Sequence, residues 1–281
     1  MTTTVPAALP PAPAAWPWPP LLRGSALLHA AAAGTALWAP ETGPWALGGL
    51  VANHALLTAA GLWPRSRVLG PNVTRLPAAA GPTVALTFDD GPDPHTTPAV
   101  LRWLDDAGVR ATFFCIAERA RAQASLLREI VAAGHSVQNH SLRHRHDFSL
   151  LGPRTLERDI AAAQDLLGEL TGVRPHCFRA PAGLRSPLLD PVLHRQGLNL
   201  VSWTRRGFDT RDRNPARVLA RLTRRLGAGD ILLLHDGHAQ RSAAGRPVLL
   251  DVLPALLQRC HDAGLRPVTL TEALPPRHAP S

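Results

Sequence analysis

The chain has 281 residues, enough for one medium-sized enzyme domain with a small addition, since single cores seldom grow beyond about 250 residues. A formal net charge of +9 and a pI near 11.3 would suit a polyanionic partner. Every basic side chain is arginine, however, scattered among alanine, proline and leucine without a compact cluster of interleaved aromatics, which excludes nucleic acid as the partner. Three cysteines at unrelated spacings, Cys115, Cys177 and Cys260, exclude a disulfide framework.

Residues 1–20 are rich in proline and alanine, with Trp16 and Trp18 between prolines, and read as a flexible or extended arm. Two stretches without charge follow, Gly24 to Pro40 and Trp45 to Trp63, separated by the turn Glu41-Thr42-Gly43-Pro44. The second is bracketed by tryptophans and followed by Arg65 and Arg67, the pattern of a membrane span with aromatic belts and basic flanks. Residues 21–63 are therefore expected to form a hydrophobic helical hairpin that anchors the protein to a membrane. His29, His54 and the many alanines weaken insertion, so an Ala-rich helical pair packed on the catalytic domain is the alternative. A cleaved signal sequence is a further alternative, disfavoured because prolines stand where a basic leader region would be. Arg23 before the hairpin and Arg65 and Arg67 after it place both ends, and the catalytic domain, on the cytoplasmic side of an inner membrane. Residues 64–81, with Pro64, Pro71 and Pro77, are expected to be a linker, 82–275 the catalytic domain and 276–281 a tail.

From Gly81 onward short apolar strands alternate with helices. The strands are expected at Val84–Phe88, Ala111–Ile116, Ser136–Asn139, Cys177–Arg179, Asn199–Trp203, Asp230–Leu234 and Arg266–Leu270. Helices fall between them at Pro98–Ala107, Glu118–Ala133, Pro153–Leu167, Ser186–Gln196, Asn214–Leu226 and Pro247–Ala263. This α/β alternation builds a parallel sheet or barrel covered by helices, whose sites collect at the C-terminal ends of the strands. Every polar motif of this chain falls at such an end.

The first motif is Thr87-Phe88-Asp89-Asp90-Gly91-Pro92, two adjacent carboxylates leaving an apolar strand. The second is His140-Ser141-Leu142-Arg143-His144, whose two imidazoles are spaced to reach one ion. One Asp and two His make the three-ligand N/O set of a catalytic zinc site, which keeps a fourth position for water. The remaining Asp is free to act as a base. Two histidines four apart otherwise suggest a solvated helix face; the carboxylate pair at a strand end argues for ligands instead. His135 and His146 lie outside the motifs and read as ordinary histidines. Arg179-Ala180-Pro181-Ala182-Gly183, then Trp203 with Asp209 six residues on, then Leu233-Leu234-His235 complete five motifs in order.

In these motifs the chain resembles the polysaccharide deacetylase family, the carbohydrate esterases with a NodB homology domain, over about two hundred residues from Pro82 to Leu274. The resemblance implies a distorted, seven-stranded (β/α) barrel. It also implies that Asp90, His140 and His144 hold one divalent metal ion, expected to be zinc, with cobalt or another divalent ion as alternatives. Asp89 would be the general base and Arg179 its orienting partner. His235 would be the general acid, held by Asp209. The backbone N–H of Ala182 would stabilise the oxyanion, and Pro181, Trp203 and Leu233 would contact substrate, Leu233 lining the place of the acyl methyl group. Two features depart from the pattern. Ala182 stands where an aromatic is usual, and Arg206-Gly207-Phe208-Asp209-Thr210 replaces a family run of Asp, two residues, Asp and Trp. The implied activity is metal-dependent removal of an N-acyl group, N-acetyl foremost, from an amino sugar in a glycan or glycoconjugate. A deformylase or deacetylase of a lipid-linked sugar at the inner membrane is a close alternative. A membrane-tethered carbohydrate-binding protein without turnover is an alternative of another class. No protein partner is expected.

Overall fold

The computed structural model describes residues 15–277; residues 1–14 of the expected arm and 278–281 of the expected tail lie outside the described residues. Two helices come first, α1 (Pro20–Trp38) and α2 (Gly43–Leu62), joined by a 3-10 turn at Pro40–Thr42. They pack as a hairpin, with the Asn53 amide donating to the Ser25 hydroxyl at 2.9 Å and the His29 and His54 rings meeting at 3.3 Å. The hairpin base rests on the rest of the chain. Leu22, Ala60 and Leu69 are buried there together, and Gly61 meets the Arg185 carbonyl so closely that a Cβ would lie 2.2 Å from it. The far end is bare, Trp38 being 88% and Trp45 85% exposed. Among the described residues, only Pro40–Leu62 makes a helix long and apolar enough to cross a membrane; α1, with Arg23, His29 and its alanines, does not.

Residues 64–81 do not stand free of the barrel as a linker would. Val73 N–H donates to the Leu200 carbonyl and Ser202 N–H to that of Val73, both at 2.8 Å, and Leu69 and Leu76 are buried.

Eight strands follow among the described residues, all paired in parallel: β1 (Thr83–Asp89), β2 (Thr112–Cys115), β3 (Ser136–Asn139), β4 (Cys177–Phe178), β5 (Asn199–Leu200), β6 (Arg205–Arg206), β7 (Ile231–His235) and β8 (Arg266–Pro267). The sheet runs β5-β4-β3-β2-β1-β7-β6, and β8 pairs with the start of β1. Its two edges, β5 and β6, are the ends of one segment, so the sheet curls into a distorted barrel with a seam at Val201–Thr204. Seven of the strands were expected from the sequence. β6 escapes sequence reading because it is a pair of arginines with no apolar alternation, drawn into place by its pairing with Leu232 and Leu233 and by the Arg205–Asp230 ion pair.

Period-two alternation along β1 sorts its side chains. Val84, Leu86 and Phe88 face the helices α3 (Thr97–Asp106) and α9 (Val248–Asp262) in the larger core, whereas Ala85 joins the barrel interior with Phe114, Cys177, Val201, Trp203, Ile231 and Leu233. Thr87 and Asp89 share the interior parity, which carries Asp89 to the barrel mouth. The remaining cover is α4 (Ala117–Ala122), α5 (Ala124–Ala132), α6 (Pro153–Thr171), α7 (Leu189–Arg195), α8 (Pro215–Thr223) and α10 (Leu270–Ala273). The single helix expected over 118–133 is broken at Gln123, and α10 was not anticipated, although Thr269 and Glu272 form a reciprocal capping box at its start. Cys115, Cys177 and Cys260 are free and buried.

Candidate active site

The strand ends bring the polar motifs together at one mouth. β1 and β7 pair so that Asp89 lies beside His235, and the next residue, Asp90, turns out of the strand with a φ of 73°. A left-handed conformation is tolerated by Asp better than by bulky residues, and it aims the second carboxylate across the mouth instead of along the strand. Behind this turn two loops touch. A Cβ on Gly91 would lie 2.1 Å from the Asp236 carboxylate, and one on Gly237 would lie 2.2 Å from the Asp90 carbonyl, so both positions require glycine.

His140 and His144 are not on a helix. His140 follows β3, and the chain between them passes through left-handed residues at Ser141 and His144. The loop is held by side chains: the Asn139 carboxamide oxygen accepts from Ser141 N–H at 2.8 Å, the Ser141 hydroxyl from His144 N–H at 2.9 Å, and Asp159 from Leu142 N–H at 3.1 Å. Both imidazole Nε2 atoms come to 3.3 Å from the same oxygen, Asp90 Oδ1. Candidate ligand atoms of Asp90, His140 and His144 all lie within 4.8 Å of one another.

The donor set fits a divalent cation. Asp90 Oδ1 is buried and accepts no hydrogen bond from the protein, an expensive condition for a carboxylate unless something else occupies it. His140 Nδ1–H donates to the Arg179 carbonyl at 2.8 Å, which leaves the Nε2 lone pair for a metal. Burial, reinforced by the nearby His140, depresses His144 to a pKa of about 4, so its ring is neutral and able to ligate. Burial also works against protonation of His140, but the charges of Asp89 and Asp90 outweigh it and raise this pKa. For Asp90 burial would raise the pKa, and the neighbouring His140, His238 and His235 outweigh it and lower it.

Two buried ion pairs flank the cluster. Arg179, fully buried, donates to Asp89 Oδ1 at 2.6 Å and to the Thr87 hydroxyl at 2.8 Å. Its other donors reach the Val201 and Ser202 carbonyls at 3.2 and 2.9 Å, which satisfies backbone left unpaired at the barrel seam. On the other flank Asp209 accepts from the His235 backbone N–H at 2.7 Å and from its ring Nδ1–H at 2.8 Å. Burial opposes a charge on His235, yet the Asp209 carboxylate prevails and lifts its pKa to about 9. Asp212 is spent elsewhere, on Arg217 and Arg221.

A pocket of about 380 Å³ opens at this mouth. Asp89, Asp90, His140, His144, Ala182, Trp203, Leu233 and His235 all border it; Pro181 is buried and outside its wall, and Asp209 lies behind His235. Ala182 sits in a left-handed turn with a φ of 55°. Arg206, Thr210, Arg211, Gln240, His146 and His238 also line the pocket, without having been singled out as site residues from the sequence. His238 offered a signal, standing three residues after His235, and its Nδ1 lies 3.2 Å from Asp90 Oδ2. His135 is buried instead against Phe113 and accepts from Ala111 N–H, as expected for a core histidine.

A curled parallel (β/α) barrel with a His/His/Asp cluster between a base-like and an acid-like pair defines a class, the carbohydrate esterases with a deacetylase site. Known proteins agree. Residues 77–201 match the family model for polysaccharide deacetylase. The chitooligosaccharide deacetylase of Sinorhizobium fredii is 34% identical over 212 residues, an overlap of 70% of this chain and 92% of the relative. A peptidoglycan-N-acetylglucosamine deacetylase of Bacillus cereus is 33% identical over 198 residues, covering 69% and 89%. The structure of a family 4 carbohydrate esterase from Streptomyces lividans in complex with acetate superposes with a TM-score of 0.62 at 30% identity, over 72% of this chain and 99% of that one. The chain belongs to the polysaccharide deacetylase family.

Proposed function

We propose that this protein is a metal-dependent hydrolase that removes an N-acyl group, N-acetyl foremost, from an amino sugar of a glycan or glycoconjugate. One observation carries the reading. Asp89, paired with Arg179, and His235, paired with Asp209, line the same pocket as the Asp90, His140 and His144 cluster.

Asp90, His140 and His144 would hold the ion, zinc or another divalent cation. Bound there, it would supply Lewis acidity to a water molecule and to the acyl carbonyl oxygen. Asp89 takes the proton from the attacking water, its carboxylate pinned by Arg179 so that only one oxygen is committed. The Ala182 N–H at the pocket wall is the protein's donor to the developing oxyanion. His235 starts protonated, because Asp209 raises its pKa to about 9, and delivers that proton to the leaving nitrogen. Leu233, Trp203 and Ala182 shape the space for the acyl group and sugar, with Pro181 fixing the turn. A binding protein without turnover has no use for an oriented base and a charged acid beside a ligand cluster.

The test is acetate release from N-acetylated chitooligosaccharide and peptidoglycan fragments with and without chelator. Loss of release in chelator and recovery with zinc or cobalt is the expected result; no release in any metal state would sink the reading.

A second reading, a lipid-linked sugar as substrate, is favoured by the hairpin, whose base packs on the barrel and whose exposed tip carries Trp38 and Trp45. Residues 21–63 would then sit in or on the inner membrane. Arg23, Arg65 and Arg67 at the barrel end of the hairpin favour the cytoplasmic side. Labelling of a C-terminal tag from the periplasm would overturn that side.

A further inference from the structure

The charges around the pocket do not cancel. Asp89 is matched by Arg179, Asp209 by His235, and Asp90 is more than matched by the divalent ion its ligand set would hold. Arg206 and Arg211 remain, and both line the pocket. Neither makes a side-chain hydrogen bond or an ion pair with any described residue; partial burial opposes the charge on Arg206, Asp89 and Asp209 are near enough to favour it, and Arg211 is near enough to oppose it. The neighbouring carboxylate, Asp212, is already engaged by Arg217 and Arg221 at 2.7 and 2.8 Å.

Arg206 is positioned without a carboxylate. Its guanidinium lies 5.4 Å from the ring centre of Trp203 and 5.0 Å from that of Phe208, the latter held out by a left-handed backbone with a φ of 62°. Stacking uses the faces of a guanidinium and leaves its in-plane N–H donors free, unlike a salt bridge, which consumes them. The Arg206 Nε is buried and without a partner. A half-buried, aromatic-clamped arginine whose buried Nε has no partner, beside a second unpaired arginine, is costly unless an anion completes it.

We propose that Arg206 and Arg211 form an anion subsite at the pocket wall, and that the substrate is an acylated amino sugar bearing a carboxylate or phosphate group. The substrate clause rests on the deacetylase reading; the anion subsite does not. The two guanidiniums would grip the anion while the acyl group lies against Leu233, which orients the sugar without the aromatic platform that Ala182 and Thr210 cannot provide. Planar guanidiniums match carboxylate and phosphate oxygens equally, so the anion's identity is left to the assay.

The experiment uses the full chain loaded with zinc and four probes: N-acetylglucosamine, N-acetylglucosamine 1-phosphate, N-acetylmuramic acid and inorganic phosphate. Acetate release from the first three gives kcat/KM, and calorimetric titration gives binding. We expect at least a tenfold preference for one anionic sugar over the neutral one. That preference should fall at least tenfold in the Arg206→Gln/Arg211→Gln variant, chiefly through KM, and weaken as salt is raised. Arg211→Gln alone, at an exposed position, should reduce it in part, and Arg206→Lys should recover less than half of the loss. Equal kcat/KM for neutral and anionic sugars, or a preference unchanged in the double variant, overturns the proposal. So does inorganic phosphate binding as tightly as either anionic sugar, since the sugar would then add nothing. Arginine-dependent binding of an anionic sugar with no acetate release from any probe would retain the subsite and sink the deacetylase reading instead.

Discussion

Asp209 gives two hydrogen bonds' worth of restraint to one histidine, taking the backbone N–H and the ring Nδ1–H of His235 together. The imidazole therefore presents Nε2 to the pocket in a fixed orientation, and its proton is retained to about pH 9. Activity that needs this acid should fall on the alkaline side with an apparent pKa near that value. Asp209→Asn removes the stabilising charge, so the alkaline limb of the kcat/KM profile should move down by more than one pH unit, with a rate loss of roughly 10²-fold or more. The same pair has a stability consequence. A histidine whose folded pKa is raised stabilises the fold fully below its unfolded pKa, about 6.5, and that contribution is lost as pH rises through about 9. Its size is on the order of 3 kcal/mol, so the pH dependence of urea midpoints between pH 6.5 and 9 should flatten in Asp209→Asn. At Asp89 the expectation is sharper in kind: Asp89→Asn should lower acetate release by roughly 10³-fold, in the range typical of a lost general base. Metal content, measured on the dialysed protein, should stay within twofold, because Asp90, His140 and His144 are untouched.

Arg179 joins elements as well as charges. From the end of β4 it reaches β1 through Thr87 and Asp89, and the seam between β5 and β6 through Val201 and Ser202. Its own carbonyl meanwhile sets the ring of His140 after β3. One buried side chain thus ties four parts of the barrel to the site they form. Arg179→Met leaves Asp89 buried and unpaired and the seam carbonyls without donors, at a cost of about 3–5 kcal/mol, so thermal unfolding should occur roughly 6–20 °C lower. Arg179→Lys retains a charge but loses the fork that spans both strands, and should fall between the two. The loops behind the site obey a tighter steric rule. Gly237→Ala, with its Cβ directed at the Asp90 carbonyl, should displace Asp90 and weaken zinc binding by at least tenfold in competition with a chelating dye.

At the scale of the whole molecule, the barrel and the hairpin meet over a small apolar contact at Leu22, Ala60 and Leu69, while tryptophans and leucines at the far end of the hairpin have no cover. Exposed apolar surface of this kind marks an interaction site, and paired tryptophans suit the boundary between lipid headgroups and acyl chains. If the hairpin is the membrane-binding element proposed above, Trp38→Ser/Trp45→Ser should lower co-sedimentation with anionic phospholipid vesicles, leaving acetate release from a soluble substrate within twofold. Unchanged sedimentation would remove the hairpin from that role.

Much of the site was legible in the order of residues, because chemistry at strand ends leaves compact signatures. Asp89-Asp90, His140 with His144, Arg179, Asp209 and His235 each stand in a short motif, and the alternation of apolar strands and helices pointed to a parallel α/β sheet or barrel, the family resemblance choosing the barrel. The strand ends converge because parallel strands share one direction, so motifs fifty or ninety residues apart must meet at the same mouth. Other features depended on contacts distant in sequence. The strand at Arg205–Arg206 exists through its partners on β7, and residues 64–81 read as a linker until Val73 pairs with the barrel seam. The spacing of the two histidines did not tell their conformation: a loop with two left-handed residues carries them, held by hydrogen bonds to the side chains of Asn139, Ser141 and Asp159. The sequence marked Arg206 as a departure from its family; only the folded chain clamps that arginine between Trp203 and Phe208 and leaves its Nε unpaired beside the Asp/His cluster. Residue type and local spacing determine which groups can do the chemistry, and long-range packing decides which of them are already satisfied and which still require a ligand.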